Sequence, residues 1–203
     1  MANTKKIKVS KVLYDSYVLC IDMFFSILGI ILTFPILIVA GILIKIEDGG
    51  PIIYIQERVG KNGEVFNIYK LRSMKTDAEK CGMRWAAKND NRITKIGKII
   101  RRTRIDELPQ FINILKREMS LIGPRPEVPS LTEKFNNEID NFIDRVKVRP
   151  GITGWAQVNG GYDLNPKQKY EKDMYYIENR SVKLDLIIIL KTISVIIGGH
   201  GAR

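Results

Sequence analysis

Histidine is all but missing from this 203-residue sequence: the one copy, His200, is the fourth residue from the end. Cysteine is nearly as scarce, with Cys20 inside an apolar run, Cys81 in a polar stretch, and no CxxC pair. These absences argue against a Cys/His zinc cage, a disulfide framework and a nucleophile activated by imidazole. No GxxxxGK[ST] segment occurs, and no GxGxxG follows a strand pattern, so the usual ATP and dinucleotide phosphate loops are lacking. Gly199-His200-Gly201 is too short and too near the terminus to replace them. Acidic residues are outnumbered, 22 Asp and Glu against 33 Lys and Arg. Any metal would therefore be a hard ion held by carboxylates and phosphates, with Mg²⁺ the natural choice.

The cationic excess is concentrated. The formal net charge is +11, and residues 58–104 alone hold 14 Lys and Arg against four Asp and Glu. A solvated surface usually mixes its signs, so this block points to a polyanionic partner: nucleic acid, anionic lipid or a phosphorylated small molecule. Nucleic acid is set aside, because only Phe66, Tyr69 and Trp85 are interleaved with the basic residues, too few for a stacking surface.

Residues 23–44 run for 22 positions without a charge. As a helix they would extend roughly 33 Å, near the thickness of a bilayer's hydrocarbon core. Two topologies fit. A simple span is the ordinary one. A re-entrant helix, entering and leaving by one face, accounts for three further details. Pro35 lies inside the run, where it removes a hydrogen bond and bends the axis. The broader apolar stretch, residues 12–46, is long enough for two arms. Both flanks are basic, with Lys5, Lys6, Lys8 and Lys11 before and Lys45, Arg58 and Lys61 after, so neither end looks external. Thr33 is a candidate to cap the carbonyl that Pro35 frees.

The chain divides into residues 1–46, the membrane segment, and residues 47–203, one globular domain, with the turn cluster Asp48-Gly49-Gly50-Pro51 near the boundary. The domain reads as α+β and mainly helical. Residues 51–59 and 64–71 flank Gly60-Lys61-Asn62-Gly63 as a β-hairpin. Residues 91–104 place Ile93, Ile96, Ile99 and Ile100 at helical spacing among basic residues. That pattern suits an interfacial amphipathic helix or an ordinary helix packed on a core. Further helices are expected over residues 107–115, 131–146 and 184–197.

Asp106-Glu107 is the acidic pair of most interest. It follows Arg101, Arg102 and Arg104, and Pro109 after it predicts a new helix with Asp106 as N-cap. Capping alone would explain the pair. The arginines add a second possibility, because a helix start and guanidinium groups together bind phosphate. They are also expected to keep both carboxylates ionised. A carboxylate so placed could attack phosphorus while Mg²⁺ screens the repulsion between anions. Two loops are constrained by proline and glycine: Gly123-Pro124-Arg125-Pro126-Glu127, and residues 149–155 (RPGITGW), in which Arg149 suits phosphate and Trp155 an apolar ring. Each could equally be a rigid turn.

Five stretches taken together resemble the bacterial sugar transferases, specifically the small monotopic phosphoglycosyl transferases. They are Gly50-Pro51 with residues 56–60 (QERVG), residues 66–74 (FNIYKLRSM), 101–110 (RRTRIDELPQ), 119–126 (MSLIGPRP) and 148–158 (VRPGITGWAQV). Each is weak alone, but they stand in family order across nearly the whole chain. The resemblance implies a re-entrant membrane helix broken near Pro35, carrying a small interfacial catalytic domain at the cytoplasmic face of the bacterial inner membrane. Family members with extra transmembrane helices and an N-terminal domain are longer; this chain matches the minimal size. Many relatives place Ser before the proline, where this sequence has Phe34.

The implied reaction is ping-pong. Asp106 attacks the β-phosphate of a UDP-sugar, releases UMP and carries the phosphosugar, which polyprenyl phosphate then accepts. This would open the assembly of an exopolysaccharide, capsule, O-antigen or glycoprotein glycan. By the same resemblance, Mg²⁺ sits at Asp106, Glu107 assists, and Arg101, Arg125, Arg149, Lys70, Arg72 and Trp155 contribute to substrate binding. The competing readings are an inactive membrane scaffold of the same fold and a single-span enzyme facing outward. The sugar is not legible, and self-association into a homo-oligomer is left open.

Overall fold

One helix, α1 (Ala2–Asp48), takes up the whole apolar segment and the basic residues before it. The structure is a computed structural model and describes residues 2–78 and 90–198. Cys81, Trp85, the middle of the basic block and Gly199-His200-Gly201 lie outside the described residues. Pro35 lies inside α1 without ending it. Thr33 does not take the expected role. The carbonyl that Pro35 cannot serve is four residues back, at Ile31, whereas the Thr33 hydroxyl donates to the Gly29 carbonyl at 2.7 Å. Threonine in a helix bonds its own i−4 carbonyl in this way.

The two sides of α1 differ. One carries Phe24, Ile27, Ile31, Leu32, Phe34, Val39 and Ile42, all exposed. Burying each such side chain is worth about 1.5–3 kcal/mol, so in water this face would be a large unmet cost. The other side docks on the rest of the chain along its length. Tyr14 donates to Asp185 at 2.8 Å. Asp22 accepts from Ser120 Oγ at 3.0 Å and from the Leu121 amide at 2.9 Å. Gly29 lies against the Phe111 ring. Ala40 and Ile44 share a core cluster with Leu71 and Ile100. Both arms around Pro35 therefore rest on the remainder of the chain, and α1 ends at Asp48.

The expected hairpin is present. β1 (Ile53–Val59) pairs antiparallel with β2 (Val65–Leu71), in register from Ile53 opposite Leu71 to Val59 opposite Val65. The turn uses positive φ at Asn62 and Gly63, which these residues tolerate. Phe66 and Ile68 point from β2 into a second core cluster with Ile114 and Met119.

The next helix is shorter than its isoleucine spacing predicts. α2 spans Lys95–Arg102, because Ile93 is drawn into a β-bridge with Met74. Thr94 caps α2 by accepting from the Gly97 amide, and Glu47 at the end of α1 accepts from the Lys95 and Ile96 amides at 2.7 and 2.9 Å. Ile96 and Ile100 pack in the core, while Ile99 faces outward between Lys98 and Arg102. The helix expected over 107–115 is a 3-10 helix (Ile105–Gln110) followed by α3 (Phe111–Leu115).

β3 (Ser120–Ile122) then leads to α4 (Pro129–Glu138) and a 3-10 helix (Phe142–Lys147), which replace the single helix expected over 131–146. Extended Ile139 and left-handed Asn141 break it. β4 (Gly151–Thr153), α5 (Trp155–Val158), α6 (Pro166–Glu178) and α7 (Val182–Gly198) complete the fold. β3 and β4 pair in parallel, Ser120 with Gly151 and Ile122 with Thr153, which sets the two proline-rich loops side by side. Glycine is required here: a Cβ on Gly151 would lie 2.0 Å from the Gly123 nitrogen. A third cluster, Tyr176, Leu184 and Ile188, joins α6 to α7.

Candidate active site

The acidic pair sits where α2 stops. Arg104 turns the chain with φ 60°, and the 3-10 helix after it carries Asp106 and Glu107 in its first turn. Asp106 is not the cap. Arg104 holds that position, its carbonyl accepting the Glu107 amide at 3.1 Å. A left-handed non-glycine residue costs on the order of 1 kcal/mol, which the surrounding packing must offset.

Both carboxylates are buried, Asp106 at 9% and Glu107 at 8% exposure, but their surroundings differ. Arg125, from the loop after β3, donates to Glu107 Oε1 at 2.7 Å and to Oε2 at 3.4 Å, and Arg104 Nη1 lies 3.6 Å from Oε1. Asp106 Oδ1, by contrast, is buried with no hydrogen-bond partner. The electrostatics separate the two in the same sense. Burial opposes ionisation of Glu107, but Arg125, Lys70 and Arg104 outweigh it and hold that carboxyl down at about 2. Burial and the adjacent Glu107 charge push Asp106 up to about 6, against the pull of Lys70, Arg101 and Arg125. The expectation that arginines keep both carboxylates ionised therefore holds for Glu107 and not for Asp106, where desolvation wins. Burial and neighbouring Arg125 bring the Lys70 ammonium down to about 7.

Arg125 is itself held in place. Arg145, from the 3-10 helix after α4, donates through Nη2 to the Arg125 carbonyl at 2.9 Å and through Nε to Asp173 of α6 at 2.8 Å. Arg145 and Asp173 are both buried, and the Phe142 ring lies 4.9 Å from the Arg145 guanidinium.

Beside this cluster opens a cleft of about 240 Å³. Its lining combines charged side chains, among them Arg104, Glu107, Arg125 and Lys169, with apolar ones, among them Phe111, Ile152, Val195 and Ile196.

Of the residues singled out from the sequence, Asp106, Glu107, Lys70, Arg101 and Arg125 come together. Four others lie elsewhere. Arg72 is buried 3.2 Å from Asp48, at the foot of α1. Arg149 acts electrostatically on Asp22 of α1. Trp155 stacks on Tyr175 at 5.6 Å, with Lys191 4.8 Å from its ring. Pro35 is in α1. The sequence reading missed Arg145, Lys169 and Asp173. The one available signal was that Lys169 and Asp173 stand four apart on α6 and so share a helix face.

Among the described residues, no group of three or more His, Cys, Asp or Glu side chains could hold a metal ion. The donor chemistry still fits Mg²⁺ in one form. Asp106 offers an unengaged carboxylate oxygen, the Glu107 oxygens are occupied by arginine, and Mg²⁺ commonly takes one carboxylate with phosphate and water oxygens completing its shell.

Comparison with known proteins gives a consistent result. An Aeromonas hydrophila UDP-N-acetylgalactosamine-undecaprenyl-phosphate N-acetylgalactosaminephosphotransferase is 47% identical over 185 residues, covering 90% of this chain and 44% of that protein. An Escherichia coli K12 UDP-glucose:undecaprenyl-phosphate glucose-1-phosphate transferase is 39% identical over 177 residues, covering 85% of this chain and 38% of that protein. The chain thus spans less than half the length of these two relatives. The exopolysaccharide production protein PSS of Rhizobium leguminosarum bv. phaseoli is 37% identical, over 85% of this chain and 90% of its own length. Residues 14–199 match the bacterial sugar transferase family, and the chain belongs to it.

Proposed function

We propose that this protein transfers a sugar-1-phosphate from a UDP-sugar to polyprenyl phosphate through a covalent intermediate on Asp106. The observation that carries the proposal is the division of labour within the buried pair. Glu107 is fixed and ionised by Arg125 and Arg104, while Asp106 keeps an oxygen that nothing in the protein engages. A carboxylate left unengaged among cations is suited to act as a nucleophile toward phosphorus.

In the first half-reaction an Asp106 oxygen attacks the β-phosphorus of the donor. The bond from that phosphorus to the bridging oxygen breaks, and UMP leaves with the electron pair. In the second, a phosphate oxygen of the polyprenyl acceptor attacks the same phosphorus, and Asp106 departs as carboxylate. Arg101, Arg125 and Lys70 offset the charge gathered around phosphorus. Glu107 keeps Arg125 aimed through its two hydrogen bonds. Asp106 would hold Mg²⁺, which supplies charge neutralisation to the phosphates when bound.

The re-entrant topology belongs to the same proposal. Tyr14 and Asp22, before Pro35, and Ala40, Ile44 and Glu47, after it, all engage one domain. A helix crossing the bilayer would separate those two sets of contacts by the membrane thickness. UDP-sugars are cytosolic, so the domain faces the cytoplasm.

The test is UMP release by purified protein with Mg²⁺, undecaprenyl phosphate and a panel of donors beginning with UDP-N-acetylgalactosamine and UDP-glucose. UMP from one donor, abolished in Asp106→Asn, is the expected result. Release that survives in the variant would overturn the nucleophile.

A further inference from the structure

We propose that the apolar lining which α3 and α7 contribute to the cleft is the seat of the acceptor's first isoprenoid units, with its phosphate held at Arg125 and Lys169. The inference rests on the transferase reading above and adds where the lipid lies.

Three observations carry it. First, the cleft is lined by two kinds of group: the cations Arg125 and Lys169, and the apolar side chains Phe111, Ile152, Val195 and Ile196. An isoprenoid phosphate calls for both: it has one anionic head and a tail with no hydrogen-bonding group. Second, both apolar walls belong to elements that are exposed and apolar on their outer faces. Phe111 rests against Gly29 in the middle of α1, whose neighbours Ile27, Leu28 and Ile31 are exposed. On α7, Leu186, Leu190 and Ile193 form an exposed row, and Ile196 both lines the cleft and stands half exposed at its edge. A tail leaving the cleft along α7 thus meets an exposed apolar row.

Third, the side-chain donors of Thr153, Gln157 and Thr192, which also line the cleft, are already engaged within the protein. Thr153 and Thr192 hydrogen-bond each other at 2.7 Å, and the Gln157 amide nitrogen donates to the Ile152 carbonyl. Gln157 Oε1 has no partner, but it is sealed from solvent beside Gly154. A nucleobase would need several converging donors and acceptors, whereas a hydrocarbon needs none.

The test uses the full chain in phosphatidylethanolamine/phosphatidylglycerol vesicles and a polyprenyl phosphate bearing a diazirine on its second isoprene unit. Photolabelling followed by peptide mass spectrometry is expected to mark residues 192–196 or Phe111. Excess undecaprenyl phosphate should suppress that label at least fivefold, and UDP-sugar should not. Val195→Asn and Ile196→Asn are each expected to raise the KM for acceptor about fivefold or more, with the donor KM unmoved. Label confined to α1, or label at α7 that is displaced by UDP-sugar and not by lipid, overturns the proposal; the second result would place the nucleotide there. An unchanged acceptor KM in both variants overturns it too. Labelling requires no turnover, so competed label at α7 without UMP from any donor would uphold the lipid seat and sink the donor assignment.

Discussion

Replacing Glu107 by glutamine tests the division of labour at the site in two ways at once. The change keeps the shape of the side chain and removes its charge. Arg125 loses a charge-assisted pair of hydrogen bonds at 2.7 and 3.4 Å. Hydrogen bonds to charged groups are worth about 1.5–3 kcal/mol, so if Arg125 is aimed by this pair the maximal rate falls about 10- to 150-fold. The second effect has the opposite sense. Burial is the main cause of the raised Asp106 pKa, and the Glu107 charge is the next. Under the proposed mechanism only ionised Asp106 attacks phosphorus, so activity is expected to be lost as pH falls through its pKa, at about 6 in the protein alone and lower with a cation bound. Removing the Glu107 charge lowers that pKa and moves the acid limb of the pH–rate profile to lower pH. The assay is the pre-steady-state burst of UMP from pH 4.5 to 8 at fixed Mg²⁺, for both proteins. A slower variant with an acid limb shifted downward is expected. A limb that stays in place or moves upward would refute the electrostatic coupling, and an unchanged rate would refute the role given to Arg125.

Three other substitutions probe the supports. Asp173→Asn leaves the buried Arg145 without its charge partner at 2.8 Å, a loss of about 3–5 kcal/mol, and should lower both the Tm and the maximal rate, measured together on one preparation. Asn113→Ala removes the bonds that a fully buried side-chain amide donates to the Asn67 carbonyl and Glu118 and accepts from the Tyr69 N–H, and should destabilise the fold by roughly 2–4 kcal/mol in thermal unfolding. Gly151→Ala forces a methyl group into the Gly123 backbone, so circular dichroism should show a lower Tm and UMP release should be nearly lost; wild-type values for both would contradict the close pairing of β3 and β4.

Features with a local cause were legible in the sequence. The hairpin declares itself through β-type runs on either side of Gly60 and Gly63, and α1 through length and hydropathy. Features set by distant partners were not. β3 and β4 have three residues each, too few for any period to emerge, although their pairing joins the two motif loops. The helix expected over 131–146 looked continuous because neither Ile139 nor Asn141 is a strong breaker. At the site, a census of nearby arginines predicted two ionised carboxylates, but the census does not register burial, which decides the matter for Asp106. Arg145 and Asp173 meet across 28 positions of sequence, and each alone looked like an ordinary surface charge.

The Glu47 carboxylate, clasping the start of α2, has a mechanical consequence. α2 is a strut of eight residues, about 12 Å long, pinned at one end to the last turn of α1 and leading at the other into the turn before Asp106. Under the proposed re-entrant topology, the height of Asp106 is thereby gauged from the point where α1 leaves the bilayer. With depth fixed by the scaffold, the proposed lipid-borne acceptor and this protein would need to find each other only in two dimensions.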